Sequence, residues 1–530
     1  MLLQTKNYKN FSVGSKLFTD FRQANHCLPG DSVEWKENKC HLVSRGFHRF
    51  IPGVLELKSK YVYGHTSRGA KIYLFHPHDR KYPPFRVGSN CRNTETNQLG
   101  LIELMDWDEF ETTPRGNLLR ILGPCGSFQA EKEALLYQFS NPKKAAELFD
   151  ISEDTETKRE LLEGYTFNID PDDCMDIDDI LTLKQISSKE WNFIITIADV
   201  AAHIKEGSPG DKHAYSLGQT LYQNGEAAVP MLPSALSEMA LSLRPKETHV
   251  GVSLFCVWNT DTKCLTVGDF RETVFQSNAK YTYDTIYKSQ EVPIQILEDI
   301  ASFLKGSPTP DSHEWIAEFM ILYNKQVAQK LLEYKVGLLR THKEADKERL
   351  QQLTALHPDL NVLAYKSAKY EPTAENLIHA SLGSVPYCHA TSPLRRYADL
   401  VNQRALKAIL KGSPQSPIPL QTAEHLNTIQ KKLRNYERCL FFLETIAETP
   451  SGSVDALVVF STEEKIKLYV PSWKQMIKVS NQHLALGEKV RIDYYADFQK
   501  PHWDERIVFR ITKHGGEGAK PCESYTQDEQ

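Results

Sequence analysis

Apolar and polar residues alternate over short runs in the first part of the chain, a pattern typical of β-strands. Examples are residues 32–35, 53–57 and 71–75, with turn-forming residues between them. The spacing then changes to that of helices at 129–137 and 142–149. Many short strands in one stretch favour small β-barrels of the OB type.

The middle of the chain mixes strand and helix patterns. Strand-like apolar runs at 193–200 and 251–258 precede a long helical pattern at 314–334. After residue 450 short alternating runs return, which again indicates a small barrel. Residues 514–530 lack apolar periodicity, and we expect a disordered tail there. The pattern therefore predicts a multidomain protein in which small OB-type β-barrels flank a central α+β domain.

The composition is that of an ordinary globular protein, with 41% hydrophobic and 25% charged residues. No apolar run approaches the ~20 residues of a membrane span, so we expect no membrane partner. The ten cysteines form no Cys-x-x-Cys pair, which fits a reducing compartment and predicts a cytoplasmic protein. Although the net charge is −5, residues 1–90 carry nine lysines and six arginines against six acids, a local charge of +9. That asymmetry fits a polyanion-binding surface and solvated surfaces equally well.

Aromatic residues alternate with basic ones in the second predicted barrel. The aromatic residues concerned are Tyr61, Tyr63, Tyr73, Phe75, Tyr82 and Phe85. Such rings can stack on the bases of a single strand while neighbouring cations attract its phosphates. The alternative is that the rings fill the barrel core, and we expect about half of them to do so.

The most unusual stretch is the acidic segment 170–179, in which six of the ten residues are aspartate. No lysine or arginine lies between Gly164 and Lys184, so a purely structural role would leave neighbouring carboxylates repelling one another. An EF-hand is excluded, because Met175 and Leu181 stand where that loop needs glycine and glutamate. Hard divalent cations prefer carboxylate oxygens, and the segment therefore predicts a Mg²⁺ site.

The second informative stretch reads His-Ala-Thr-Ser-Pro-Leu-Arg-Arg-Tyr. Thr391 or Ser392 can cap a helix whose first position is Pro393. Arg395 and Arg396 would then fall in the first turn, where the helix dipole disfavours cations. Two arginines at that end indicate a bound phosphate or an ion pair with the acidic segment. Either explanation brings the two stretches together, and metal-assisted phosphoryl transfer needs both of them.

These stretches resemble the ribonuclease II (RNB) family, which includes ribonuclease R and the catalytic subunit of the exosome. The matching segments are, in chain order, residues 169–179, 197–200, 229–233, 241–243, 318–320 and 389–402. The barrels on both sides agree with this resemblance. It implies a shortened cold-shock-like OB domain at 1–51, a second one with a helical linker at 52–150, the RNB catalytic domain at 151–449, an S1-type OB domain at 450–513 and the tail at 514–530.

The resemblance implies a processive 3′→5′ exoribonuclease that hydrolyses single-stranded RNA to nucleoside 5′-monophosphates. It further implies a monomer with a two-metal mechanism that uses Mg²⁺, or Mn²⁺ in its place. The residues predicted to carry the catalysis are Asp170, Asp176, Asp178, Asp179 and Arg395, the four aspartates being the metal ligands. The residues predicted to contact RNA are Tyr222, Tyr283, Glu318, Arg396 and Glu437.

Two other functions stay open at this point. A non-catalytic RNA-binding or scaffold protein could have arisen on a decayed nuclease fold, although decay would be expected to replace one of the four aspartates. A DNA-directed nuclease would use the same ions, and a comparison of ribose with deoxyribose oligomers would distinguish it.

Overall fold

The computed structural model describes most of the chain, namely residues 1–59, 61–107, 111–140, 146–149, 158–223, 225–414, 416–462, 465–480 and 484–512. It contains two compact units. The first comprises Met1–Pro142, Leu353–Asp359 and Leu433–Gln530, and the second comprises Lys143–Gln352 and Leu360–Lys432. Within the described ranges no helix is both long and apolar enough to cross a membrane. The predicted tail lies outside them.

The first unit begins with two small antiparallel sheets. Their strands are β1 (Leu3–Thr5), β2 (Phe11–Val13), β3 (Lys16–Phe18), β4 (Ser32–Lys36) and β5 (Lys39–Ser44). Strands β1, β2 and β3 form one sheet, and β4 and β5 form a hairpin. Alternate apolar side chains, among them Phe11 and Val33, pack into a common core. The described part of the predicted 1–51 domain is thus a pair of small sheets and not a closed barrel.

A closed barrel follows in the same unit. It contains β6 (Ile51–Leu55), β7 (Lys71–Pro77), β8 (Phe85–Ser89), β9 (Gln98–Asp106) and β10 (Arg115–Pro124), and helix α1 (Phe128–Phe139) comes after it. Strand β10 closes the barrel by pairing antiparallel with β9 and parallel with β8, which is the arrangement of an OB fold. Tyr73, Phe75 and Phe85 are buried in its core, whereas Tyr61 and Tyr63 are exposed. The expectation that about half of these aromatic residues form core is confirmed.

The second unit is built around a seven-stranded sheet with helices on both faces. The elements in the middle of the chain are β11 (Glu160–Leu161), β12 (Tyr165–Ile169), β13 (Asp179–Gln185), β14 (Glu190–Ala198), α2 (Val200–His203), α3 (Pro209–Leu217), β15 (Leu221–Gln223), β16 (Glu226–Val229), β17 (Thr248–Asn259), β18 (Cys264–Gln276), β19 (Ala279–Tyr281), α4 (Ile294–Lys305), α5 (Ser312–Tyr334), β20 (Leu338–Thr341), α6 (Lys347–Leu356), β21 (Lys369–Pro372), α7 (Tyr397–Leu410) and α8 (Leu420–Glu448). The order in the sheet is β11-β18-β17-β14-β13-β12-β19.

The continuous apolar run of β14 reflects burial on both faces of this sheet. Ile195 and Ile197 face a core that includes Phe319 of α5. Ile194 faces the opposite core, which includes Leu400 of α7. Successive side chains of a strand point to opposite faces, so a strand covered on both sides has no polar alternation. The predicted long helix at 314–334 is confirmed as α5.

The first unit ends with a five-stranded antiparallel sheet. Its elements are β22 (Ser451–Ser461), β23 (Lys465–Val470), β24 (Gln475–Ser480), β25 (Lys489–Ala496), α9 (Trp503–Arg506) and β26 (Ile507–Thr512). The order β24-β23-β22-β25-β26 is that of the OB barrel, although no pairing between β24 and β26 closes it within the described ranges. One fully buried ion pair joins this part to α1, between Arg506 and Glu131.

Candidate active site

The acidic segment connects the adjacent strands β12 and β13. Hydrogen bonds from residues distant in the chain hold its backbone in place. The Ser242 hydroxyl donates to the Met175 carbonyl at 2.7 Å and accepts from the Ile177 N–H at 3.1 Å. The Lys280 ammonium donates to the carbonyls of Asp172 and Cys174, at 3.0 and 2.8 Å. The loop is therefore fixed through its backbone, which leaves its carboxylates available for other contacts.

Asp178 is the most buried of the six aspartates, with 4% of its surface exposed. Its Oδ1 accepts from the Leu394 N–H at 2.9 Å, and its Oδ2 accepts from Nε of Arg395 at 3.2 Å. Burial raises the pKa of Asp178 to about 7, although Arg395 and the Leu394 amide act in the opposite direction. The two stretches singled out in the sequence therefore meet, through the ion pair that was one of the two explanations for their charges.

The other three aspartates of the predicted set are partly buried. Asp170 accepts from the Asn168 amide at 2.7 Å, and Asp176 accepts from the Tyr222 hydroxyl. Asp179 is the first residue of β13, and burial, followed by the Asp170 and Asp178 carboxylates, raises its pKa well above the ordinary value. Burial also raises the pKa of Asp170.

The four carboxylates fit a hard divalent cation in their chemistry. All their donor atoms are oxygens, and the repulsion that raises the pKa of Asp179 is what a cation would relieve. In their described conformation, however, no three His, Cys, Asp or Glu side chains of the described chain are placed to hold one ion together. Instead, the Tyr222 hydroxyl donates a hydrogen bond to Asp176, and Nε of Arg395 donates one to Asp178. Metal binding would therefore replace some of these hydrogen bonds with metal–carboxylate contacts.

Helix α7 begins at Tyr397, and the predicted start at Pro393 is wrong. Arg396 has extended backbone and forms an isolated antiparallel bridge with Gln219. Around it the Thr220 N–H donates to the Arg395 carbonyl at 2.9 Å. This pairing with a distant segment holds the chain extended where local sequence favours a helix. Both arginines therefore precede the helix and do not lie in its first turn.

The two arginines have different surroundings. Arg396 donates to Asp399 at 2.8 Å, and its side chain is 22% exposed. The side chain of Arg395 is 43% exposed, and besides Asp178 it binds the Ser392 hydroxyl at 3.0 Å. Arg395 is thus the better placed of the two to meet a phosphate, whereas Arg396 serves an internal ion pair.

Two of the predicted RNA-contact residues lie next to the acidic segment. The Tyr222 hydroxyl binds Asp176 directly. The Tyr283 ring stacks on His313, with ring centroids 3.7 Å apart and planes 13° apart. Burial and then the charges of Asp170 and Asp179 raise the pKa of Tyr283 to about 12. These two tyrosines therefore lie beside the aspartates of the acidic segment.

The roles predicted for the two glutamates stay untested. Glu318 is half-buried on α5 and makes no hydrogen bond or ion pair with the described residues. Glu437 is an exposed residue of α8 that belongs to the first unit. Their contacts with RNA stay predictions.

Sequence reasoning assigned no role to Ser242, Lys280 and His313, which support the loop and Tyr283. Ser242 lies in one of the matching segments, and that was the only signal for it. The other two are single polar residues on a strand and at a helix start, and a pattern of neighbours cannot distinguish them from solvent-exposed ones.

Models of two protein families match this chain. The RNB domain model matches residues 158–295 and 286–412, and the model of the Dis3-like cold-shock domain 2 matches residues 72–140. These matches cover the acidic segment, the arginine stretch and most of the closed barrel. Residues 158–412 therefore form an RNB domain.

Known proteins agree with this assignment. The probable exosome complex exonuclease RRP44 of Caenorhabditis elegans is 26% identical over 443 residues, which are 65% of this chain and 46% of that protein. The chain spans about half the length of the curated relatives it matches. Mycoplasma genitalium RNase R, solved with ribose methylated single-stranded RNA, matches with a TM-score of 0.72 and 17% identity over 96% of this chain and 100% of that one. Yeast Ssd1, described as a pseudonuclease, matches with a TM-score of 0.60 and 16% identity over 95% and 81%. At such identities the structures establish the fold alone.

Proposed function

We propose that the protein is a Mg²⁺-dependent 3′→5′ exoribonuclease that degrades single-stranded RNA to nucleoside 5′-monophosphates. One observation carries the proposal: the buried Asp178 carboxylate pairs with Arg395, within a set of four aspartates that is intact. A buried carboxylate with a raised pKa destabilises the folded state at neutral pH. Several such groups beside an exposed cation are a typical signature of a catalytic site.

The side chains suit hydrolysis of a phosphodiester. Mg²⁺ held by the four aspartates would activate a water molecule and offset negative charge on the phosphate. Arg395 stays protonated at any physiological pH. Its guanidinium is partly exposed beside Asp178, so it can bind a phosphate oxygen and stabilise the charge that develops there.

Single-stranded RNA is the substrate that the family and the fold favour. The similar RNase R was solved in complex with ribose methylated single-stranded RNA. Tyr222 and Tyr283 provide rings beside the aspartates, and stacking on a ring is indifferent to base identity. Contacts with the 2′-hydroxyl would select RNA over DNA. Processivity, action as a monomer and a cytoplasmic location stay predictions.

The proposal is tested with 5′-labelled single-stranded RNA, incubated with the protein and Mg²⁺ or with EDTA. We expect shortening from the 3′ end with Mg²⁺, none with EDTA, and no accumulation of long intermediates. Asp178→Asn should abolish shortening and keep RNA binding. The matched control is Asp172→Asn, an exposed aspartate of the same segment, which should leave the rate unchanged. If the protein leaves RNA intact under all these conditions, the proposal is wrong.

A non-catalytic RNA-binding protein is the second candidate. Two observations favour it: yeast Ssd1, described as a pseudonuclease, shares the fold, and no three described His, Cys, Asp or Glu side chains are placed to hold one ion together. That candidate predicts RNA binding that neither Mg²⁺ nor Asp178→Asn changes, together with no shortening. The same labelled RNA, followed by gel electrophoresis and by anisotropy, separates the two candidates.

A further inference from the structure

Five aromatic rings lie in a row near the end of β20, and the proposed catalysis uses none of them. They belong to Tyr365, His342, His379, Tyr387 and His389, and all are partly exposed. Successive ring centroids are 5.1, 5.0, 5.3 and 5.9 Å apart. Neighbouring ring planes are inclined by 35° to 85°, so a flat ligand can stack on the exposed face of a single ring of the row.

Backbone pairing holds the two central histidines side by side. His342 follows β20 directly, and its N–H donates to the Ile378 carbonyl at 3.0 Å. The Ala380 N–H donates back to the His342 carbonyl at 2.8 Å, and the His379 N–H donates to the Val385 carbonyl at 2.9 Å. The position of the pair is therefore set by the main chain and does not depend on the conformation of an exposed loop end.

The Ser381 hydroxyl lies between the two imidazoles, 3.1 Å from Nδ1 of His342 and 3.2 Å from Nδ1 of His379. A hydroxyl has one proton, so it can donate to only one of two neutral rings. When the hydroxyl donates its proton to Nδ1 of one histidine, the other histidine must donate its Nδ1–H to the hydroxyl oxygen. One histidine then presents an Nε2–H donor and the other presents an Nε2 acceptor.

Both Nε2 atoms are available to a ligand. Neither atom is buried without a hydrogen-bond partner, and no hydrogen bond joins either atom to another side chain of the described chain. Burial, together with His342 and Arg340, lowers the pKa of His379 to about 4. His379 is therefore neutral at physiological pH.

A donor and an acceptor side by side, next to aromatic surface, match the edge of a nucleobase. A phosphate fits less well, because the nearby Arg340 guanidinium already lies over the Tyr370 ring and donates to Gln430 at 2.6 Å. A metal ion fits less well too, because no three described His, Cys, Asp or Glu side chains converge on one position.

We propose that His342, Ser381 and His379, with the rings of Tyr365 and Tyr387, form a subsite for one unpaired base of an RNA strand. The inference rests on the proposed function, which supplies the strand. Asn324 connects the subsite to the catalytic stretch: its amide donates to the Tyr387 hydroxyl at 3.0 Å and accepts from the Ala390 N–H at 2.7 Å. Occupation of the subsite would thus help to place the strand relative to Arg395.

The test is fluorescence anisotropy at pH 7.5 in EDTA, which prevents cleavage. The probes are oligoribonucleotides of one length, each with a single abasic nucleotide at a different distance from the 3′ end. For the unmodified protein we expect at least one position, beyond those at Tyr222 and Tyr283, at which removal of the base weakens binding roughly fivefold or more. Ser381→Ala and His379→Phe should weaken binding of the intact strand and remove the penalty at that position only. Ser367→Ala, an exposed serine of the same part of the chain, should change nothing.

Three results would overturn the inference. The first is tight binding of RNA with no position that responds to Ser381→Ala and His379→Phe. The second is a loss of affinity that is equal at every position, which would indicate a structural role. The third is removal of the penalty by a free nucleoside 5′-monophosphate, which would assign the subsite to mononucleotides. Failure of the proposed function is recognised separately, because the protein would then leave labelled RNA uncleaved in Mg²⁺ whatever the abasic series shows.

Discussion

Replacing Asp178 with asparagine is expected to stabilise the metal-free protein while abolishing the proposed activity. Burial raises the pKa of this carboxyl to about 7, so the folded protein disfavours the ionised form. The free-energy cost of ionising this carboxyl in the folded protein begins near its pKa in the unfolded chain. The cost grows as the pH rises and is complete above the pKa in the folded protein. Asparagine resembles the neutral acid in shape and avoids that cost.

The magnitude follows from the pKa and the contacts. The difference between a folded pKa of about 7 and an unfolded one of about 3.9 corresponds to about 4 kcal/mol at pH 8. This gain is partly offset, because the NH₂ group of the new asparagine would face the Nε–H of Arg395 and both groups are donors. Losing that hydrogen bond costs about 1–3 kcal/mol, at the lower end because Arg395 can turn to water. The expected net effect is a gain of roughly 1–3 kcal/mol at pH 8 and almost none at pH 5.

The assay is thermal unfolding in EDTA at pH 5 and pH 8, with Tm taken from the transition of the second unit. A gain of that size should raise Tm by a few degrees at pH 8. Asp172→Asn, which changes an exposed carboxylate, should leave Tm unchanged at both pH values. Addition of Mg²⁺ should raise the Tm of the unmodified protein more than that of the variant. A variant that is less stable at pH 8, or whose shift is the same at both pH values, would refute this reasoning.

Three further outcomes are expected. Arg395→Lys keeps the charge but loses a charge-assisted hydrogen bond, so kcat should fall by roughly 10- to 100-fold, and a smaller change in kcat than in KM would contradict this role. Arg506→Met leaves Glu131 buried without its partner and should lower the stability of the first unit by about 3–5 kcal/mol; urea unfolding measures it, and Glu131→Gln in the same background should restore part of the loss. His313→Ala removes the ring under Tyr283 and should weaken RNA binding roughly 2- to 10-fold by anisotropy, whereas His313→Phe should bind normally.

Local patterns were sufficient wherever one element forms from its own residues. The strand alternation at 71–75 and the helical spacing at 314–334 both correspond to observed elements. The start of α7 is the opposite case. Pro393 and its neighbours favour a helix locally, yet a bridge between Arg396 and Gln219 keeps the backbone extended. A partner so distant in the chain leaves no periodic signal, so local reasoning placed the helix start too early.

The residues that can supply the chemistry were recognisable from the sequence, because an acidic segment without basic neighbours and a paired arginine stretch are local features of composition. Their arrangement depends on the folded chain. It joins Asp178 to Leu394 and Arg395 across more than two hundred residues, and it binds Asp176 to Tyr222. It also sets His342 beside His379 through backbone pairing. The reason is physical: a carboxylate's environment depends on what packs around it, and packing is decided by strands and helices that are distant in the chain.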